Sequence, residues 1–128
     1  MTTTSIQDRV DELFADARDM QAQAIDCFDR GDVRDAAEKA WCATKRATDG
    51  LILARTREEP VTTAATGDSL DSLASRDPEA RQLQGRYYSR IHNLHGMCFY
   101  SRHCNDQTER RIRETAAYIS DAEVLAAQ

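Results

Sequence analysis

Apolar residues recur at spacings of three and four along most of this chain, a period that restricts it to helices packed through one buried stripe each. The first stripe is Ile6, Val10, Leu13, Phe14, Ala17, Met20, Ala24, Cys27 and Phe28. Thr4 or Ser5 is its expected N-cap and Gly31 its end. Asp32 then caps a second helix, striped by Val33, Ala36, Ala37, Ala40, Trp41, Thr44, Ala47, Leu51 and Ile52 and running to about Arg57. Asp77 followed by Pro78 starts a third, with Leu83, Tyr87, Ile91, Leu94 and Cys98 on its stripe. Asn105 or Asp106 caps the last, striped by Ile112, Ala116, Ile119 and Val124.

Only two prolines and five glycines interrupt 128 residues, so the fold class is all-α. Short joints at Gly31 and Asn105 make sequential helices run antiparallel. The expected architecture is an antiparallel up-down four-helix bundle, one domain over residues 1–128. Residues 60–78 read as the main loop, with a short extra helical turn around Leu70 and Leu73 between the second and third long helices.

No apolar run approaches the roughly 20 residues of a membrane span, and Met1-Thr-Thr-Thr-Ser-Ile has no basic segment followed by an apolar one. A soluble cytoplasmic protein, without a membrane partner, is the expectation. Cys27, Cys42, Cys98 and Cys104 form no CxxC pair, which predicts four free, mostly buried thiols.

The net charge of −5 is uneven. Residues 1–38 hold ten acids and four bases, whereas 39–57 hold five bases and one acid, and 86–113 six bases and two acids. A globally acidic surface disfavours non-specific binding to nucleic acid, but a local basic segment can hold a phosphate. Opposite charges paired along the seam of the first two helices account for part of the pattern equally well.

Residues 86–104, RYYSRIHNLHGMCFYSRHC, contain all three histidines, two of the four cysteines and four of the eight aromatics. As a metal site the stretch offers His92, His95, Cys98, His103 and Cys104. Steps of three rotate steadily round a helix, so the third ligand faces away from the first by roughly 120°; no bound metal is expected. As an acid-base site it offers Arg90 with His95, or Arg86 with His92. Imidazole can exchange a proton near neutral pH and a guanidinium can hold a phosphate oxygen, which together suit cleavage of RNA. Five residues advance an α-helix by about 140°, so Arg90 and His95 converge only through side-chain reach, a helix distortion or a partner subunit. Arg86, Tyr88, Arg102 and His103 are the candidate binding residues. The alternative is structural: Tyr87, Ile91, Leu94 and Cys98 are core, and the His and Arg residues flank it. No Gly-rich phosphate loop, HExxH or Ser/His/Asp set is present, and no cofactor is expected.

GDVRDAAEKAWCATKRATDGL, residues 31–51, and LHGMCFY, residues 94–100, resemble the archaeal PaREP proteins and, more broadly, HEPN domains. The residues carrying the resemblance are Gly31, Asp32, Ala36, Ala37, Glu38, Lys39 and Trp41, then Leu94, His95, Phe99 and Tyr100. The resemblance implies a bundle that forms a homodimer. In active members it implies a metal-independent ribonuclease built on Arg, four to six residues, then His, the two pairs meeting across the dimer axis. In other members it implies RNA or nucleotide binding without turnover, or a toxin-antitoxin pair with a nucleotidyltransferase-like protein. CFDRGDVRDAAEKAW is also similar to half of a tetratricopeptide repeat, which implies a helical adaptor, although no second copy follows about 34 residues on.

Overall fold

The computed structural model describes residues 3–128, with side chains from residue 5 onward. It is all-helical, with no strand among the described residues. The elements are α1 (Thr3–Asp29), α2 (Val33–Thr56), α3 (Thr63–Ala74), α4 (Pro78–Arg90) with a π-helical continuation over Ile91–Tyr100, α5 (Thr108–Arg113) and α6 (Thr115–Ala126). None is long and apolar enough to cross a membrane.

The α1–α2 turn follows the sequence signals. Gly31 adopts φ +87° and its N–H donates to the Phe28 carbonyl. Asp32 then caps α2 by accepting from the Asp35 N–H. Ser5 lies inside α1, and the side chain of Thr4 falls outside the described residues. The two helices run antiparallel: Arg9 pairs with Glu59 at 2.8 Å and Asp16 with Arg46 at 3.5 Å. Between those pairs a Cβ on Gly50 would stand 2.8 Å from the Phe14 ring. Gly50 is therefore a contact point between helices rather than a weak spot in α2.

Helix α2 is the centre of the molecule. Every residue from Ala47 to Leu53 is buried, a wider face than its stripe predicts, because other helices cover α2 on several sides. Helix α6 runs parallel to it, through Thr48 to Tyr118 and Arg55 to the Leu125 carbonyl. Helix α4 and its continuation run antiparallel to it, through Arg90 to Thr44 and His95 to Glu38.

Four expectations are corrected. Residues 63–74 form a full helix rather than a loop with one turn: Thr62 caps it at the Ala65 N–H, and Leu70, Leu73 and Ala74 bury its inner face. Buried Thr66 joins that helix to Asp49 of α2 at 2.7 Å. The last helix starts at Thr108 with Gln107, rather than Asn105 or Asp106, at its N-cap position, and breaks at Glu114. At that break the Arg111 carbonyl accepts from the Arg90 guanidinium at 2.8 Å, and a side chain inserted into the helical ladder interrupts it. Its buried face runs through Thr108, Ile112, Thr115, Tyr118, Ile119, Ala122 and Leu125, leaving Ala116 and Val124 exposed. Finally, Cys98 and Cys104 form a disulfide, leaving Cys27 and Cys42 as the free thiols. The chain turns back after Tyr100, with Arg102 at φ +59°, and this reversal returns Cys104 to the end of the π-helical segment.

Candidate functional site

Helix α4 is anchored by Asp77, whose carboxylate accepts the N–H groups of Glu79 and Ala80 and pairs with Arg55 at 2.7 Å. The Arg55 guanidinium, helped by those two N–H groups, holds the Asp77 carboxyl below its ordinary value. From this fixed start, Leu83, Tyr87 and Arg90 follow at helical spacing as the buried face of α4. One turn before Arg90, Arg86 reaches α6, pairing with Asp121 at 2.7 Å and lying 5.3 Å from the Tyr118 ring centroid.

Arg90 is only 8% exposed. Its Nε donates to Thr44 Oγ1 at 2.9 Å, and Nη2 donates to the Arg111 carbonyl at 2.8 Å and to Thr115 Oγ1. The Tyr118 ring lies 5.9 Å from the guanidinium, and the Tyr118 hydroxyl hydrogen-bonds with Thr48 Oγ1 at 2.7 Å. Each of these groups is neutral. Among the described residues no carboxylate pairs with Arg90. Burial lowers its pKa to about 10, so the guanidinium carries its full charge at neutral pH. The Glu114 carboxylate favours the charged form from a distance without pairing with it, and a buried charge with no direct ion pair is costly to hold in a low-dielectric interior.

That charge lies on the wall of a cleft of about 560 Å³ between α4 and the α5–α6 junction. Arg86, Ser89 and Arg90 face it from one side and Arg110, Arg111 and Glu114 from the other, with Gly85 and Ala117 completing the walls. Arg110 pairs with Glu114 at 3.0 Å. The Arg111 side chain makes no hydrogen bond or ion pair with any described residue. Four guanidinium groups and one carboxylate, Glu114, line the cleft, and Asp121 pairs with Arg86 from outside it, so the lining keeps a net positive charge. Arg90, which is buried, and Arg111 form no ion pair among the described residues.

The histidines lie elsewhere. His95 Nδ1 is 2.9 Å from each carboxylate oxygen of Glu38, and its ring is flanked by Trp41 and Phe99 at 6.1 and 6.2 Å. An ionised carboxylate only accepts, so Nδ1 carries the hydrogen. Arg90 and His95 both face α2, because i→i+5 hydrogen bonding brings residues five apart towards one side of the helix. Their α2 partners, Thr44 and Glu38, are nevertheless six residues apart, about 9 Å along the axis. Arg90 and His95 thus share a side without sharing a partner.

His92, Arg102 and His103 are exposed and do not line the cleft. Tyr88 turns the opposite way, its hydroxyl donating to Asp71 of α3 at 2.9 Å. Of the sequence candidates, only Arg86 and Arg90 meet in the cleft. Ser89, Arg110, Arg111 and Glu114 were missed there, as was Glu38 beside His95. The basic balance of residues 86–113 is the one sequence signal for the arginines of α5, which carry no motif of their own. Among the described residues no three His, Cys, Asp or Glu side chains come together to hold a metal ion.

No family model matches the chain, and no curated protein or solved structure is significantly similar to it.

Proposed function

We propose that this chain is a HEPN-like four-helix bundle that acts as a homodimer and binds RNA or a nucleotide through its phosphates. Helices α1, α2, α4 with its continuation, and α5–α6 supply the four arms. The observation that carries the reading is Arg90: a buried cation, lacking a carboxylate partner, on the wall of a cleft shared with three other arginines. A phosphate oxygen placed there supplies the missing charge and finds donors on Arg111. The basic segment 86–113 gives the same preference at longer range. A nucleotidyltransferase-like protein is the partner this reading assigns to the dimer.

Fluorescence anisotropy with a labelled single-stranded RNA tests it. Arg111→Ala weakens binding about tenfold, since a hydrogen bond to a charged group contributes about 1.5–3 kcal/mol. It also lowers the slope of log affinity against log salt by about 0.7 for one lost phosphate contact. His95→Ala leaves affinity unchanged. Equal affinities for wild type and Arg111→Ala would remove the cleft from the account.

One observation favours a second reading, a metal-independent ribonuclease. Glu38 fixes the His95 tautomer with Nδ1 protonated, and 42% of the His95 side chain is exposed, so Nε2 can serve as a base toward a 2′-hydroxyl. On this reading, cleavage of RNA in EDTA is lost in both His95→Ala and Glu38→Gln. Retained cleavage in both variants rejects it.

A further inference from the structure

The cleft's lining also specifies which part of a ligand it can recognise, an inference that rests on the phosphate-binding reading above. We infer that the site recognises phosphate groups alone, taking an oligophosphate or a phosphorylated chain end and leaving base and sugar outside.

Base selection needs a flat apolar surface to stack on, or matched donors and acceptors for a base edge. The cleft offers neither. No aromatic ring lines it. Tyr118, the nearest ring by contact, is fully buried beneath Arg86 and Arg90. Tyr88, the exposed ring on α4, is held toward α3 by Asp71. The acceptors are equally scarce. Glu114 is engaged by Arg110, and the Arg111 carbonyl is taken by Arg90. Ser89 and four guanidinium groups remain, a lining dominated by donors.

Charge sets the direction of entry. Arg90 is the most buried cation and hydrogen-bonds to neutral groups only, with the Glu114 charge acting on it from a distance, whereas Arg86 and Arg110 already pair with Asp121 and Glu114. The most highly charged end of a ligand therefore goes toward Arg90 and Arg111. Glu114 opposes it, and an entering phosphate must displace that carboxylate from Arg110. This makes Glu114 a determinant of affinity whose removal strengthens binding.

Isothermal titration calorimetry at fixed salt tests the inference with inorganic pyrophosphate, inorganic tripolyphosphate, the four nucleoside triphosphates, adenosine and single-stranded RNA. The expected result is that tripolyphosphate and all four triphosphates bind within about threefold of one another, while adenosine gives no heat. Glu114→Gln tightens pyrophosphate binding by roughly threefold, the range of one surface charge; Arg111→Ala weakens it. Circular dichroism and melting curves matching wild type show that both variants are folded. A tenfold preference for one base, or binding of ATP without binding of tripolyphosphate, overturns the inference while leaving the phosphate-binding function intact. Absence of binding by every ligand, RNA included, overturns that function itself. Unchanged or weaker pyrophosphate affinity in Glu114→Gln removes the cleft as the site.

Discussion

At the scale of single residues, Arg90 has two roles that sequence cannot separate. Its guanidinium joins Thr44 of α2 to Thr115 and the Arg111 carbonyl at the α5–α6 break. Arg90→Met leaves these buried acceptors without their donor and destabilises the fold by about 2–4 kcal/mol, to be read from chemical denaturation. Arg90→Lys does not restore it, because one ammonium cannot reproduce the planar fork. Tyr87 gives the opposite case. Its buried hydroxyl has no hydrogen-bond partner among the described residues, and burial raises its pKa. Tyr87→Phe is therefore neutral or stabilising by up to about 1 kcal/mol in the same assay, and a clear loss of stability would reveal a partner for the hydroxyl. The motif that resembles an Arg-to-His spacing was legible in the sequence. The burial of Arg90 was not, since it depends on Thr115, a polar residue outside the apolar stripe of its helix, meeting Thr44 of α2 around the guanidinium once the helices pack.

At the scale of elements, the sequence located the helices best where apolar side chains define the buried face. In α1, Ile6, Val10, Leu13, Phe14, Ala17, Ala24 and Cys27 are all buried as their spacing predicts. In α6 the buried face includes Thr115 and Tyr118, so a stripe drawn through apolar types alone selects exposed Ala116 and Val124 instead. The π-helical segment had no local signature, and neither did the disulfide, because both depend on how the chain reverses after Tyr100. The close approach of α1 and α2 at Gly50 gives a direct test. Gly50→Ala pushes on the Phe14 ring and costs about 1–3 kcal/mol, whereas helix propensity alone would make the change stabilising. Helix α4 supplies a pH test. The Asp77 pKa is lowered below 3.8 in the folded chain, chiefly by Arg55. Its contribution is full above the unfolded value near pH 4 and is lost as pH falls through the lower folded value. Melting temperatures between pH 5 and 2 therefore fall less steeply in Asp77→Asn than in wild type; identical slopes would exclude Asp77 as a source of acid sensitivity.

At the scale of the whole molecule, α2 organises the fold, and the cationic cleft lies on the side where α4 meets α5 and α6. The disulfide joins the end of the α4 continuation to the segment entering α5, its two cysteines six residues apart in sequence. By loop closure alone, Cys98→Ser with Cys104→Ser costs about 2 kcal/mol, measurable as a lower denaturation midpoint than that of the oxidised wild type. A midpoint unchanged from wild type would count against the bridge. The charge excess of residues 86–113 was visible in the sequence. Its concentration into one cleft was not, because Arg86 of α4 and Arg111 of α5 come together only when those helices pack. The central claim is that this cleft binds phosphate. Its most direct test follows the arginine side-chain N–H resonances of isotopically labelled protein during titration with inorganic pyrophosphate. The account predicts saturable shifts confined to Arg86, Arg90, Arg110 and Arg111, with Arg18, Arg34 and Arg55 unmoved. Weak, unsaturable shifts spread over the surface arginines would contradict it.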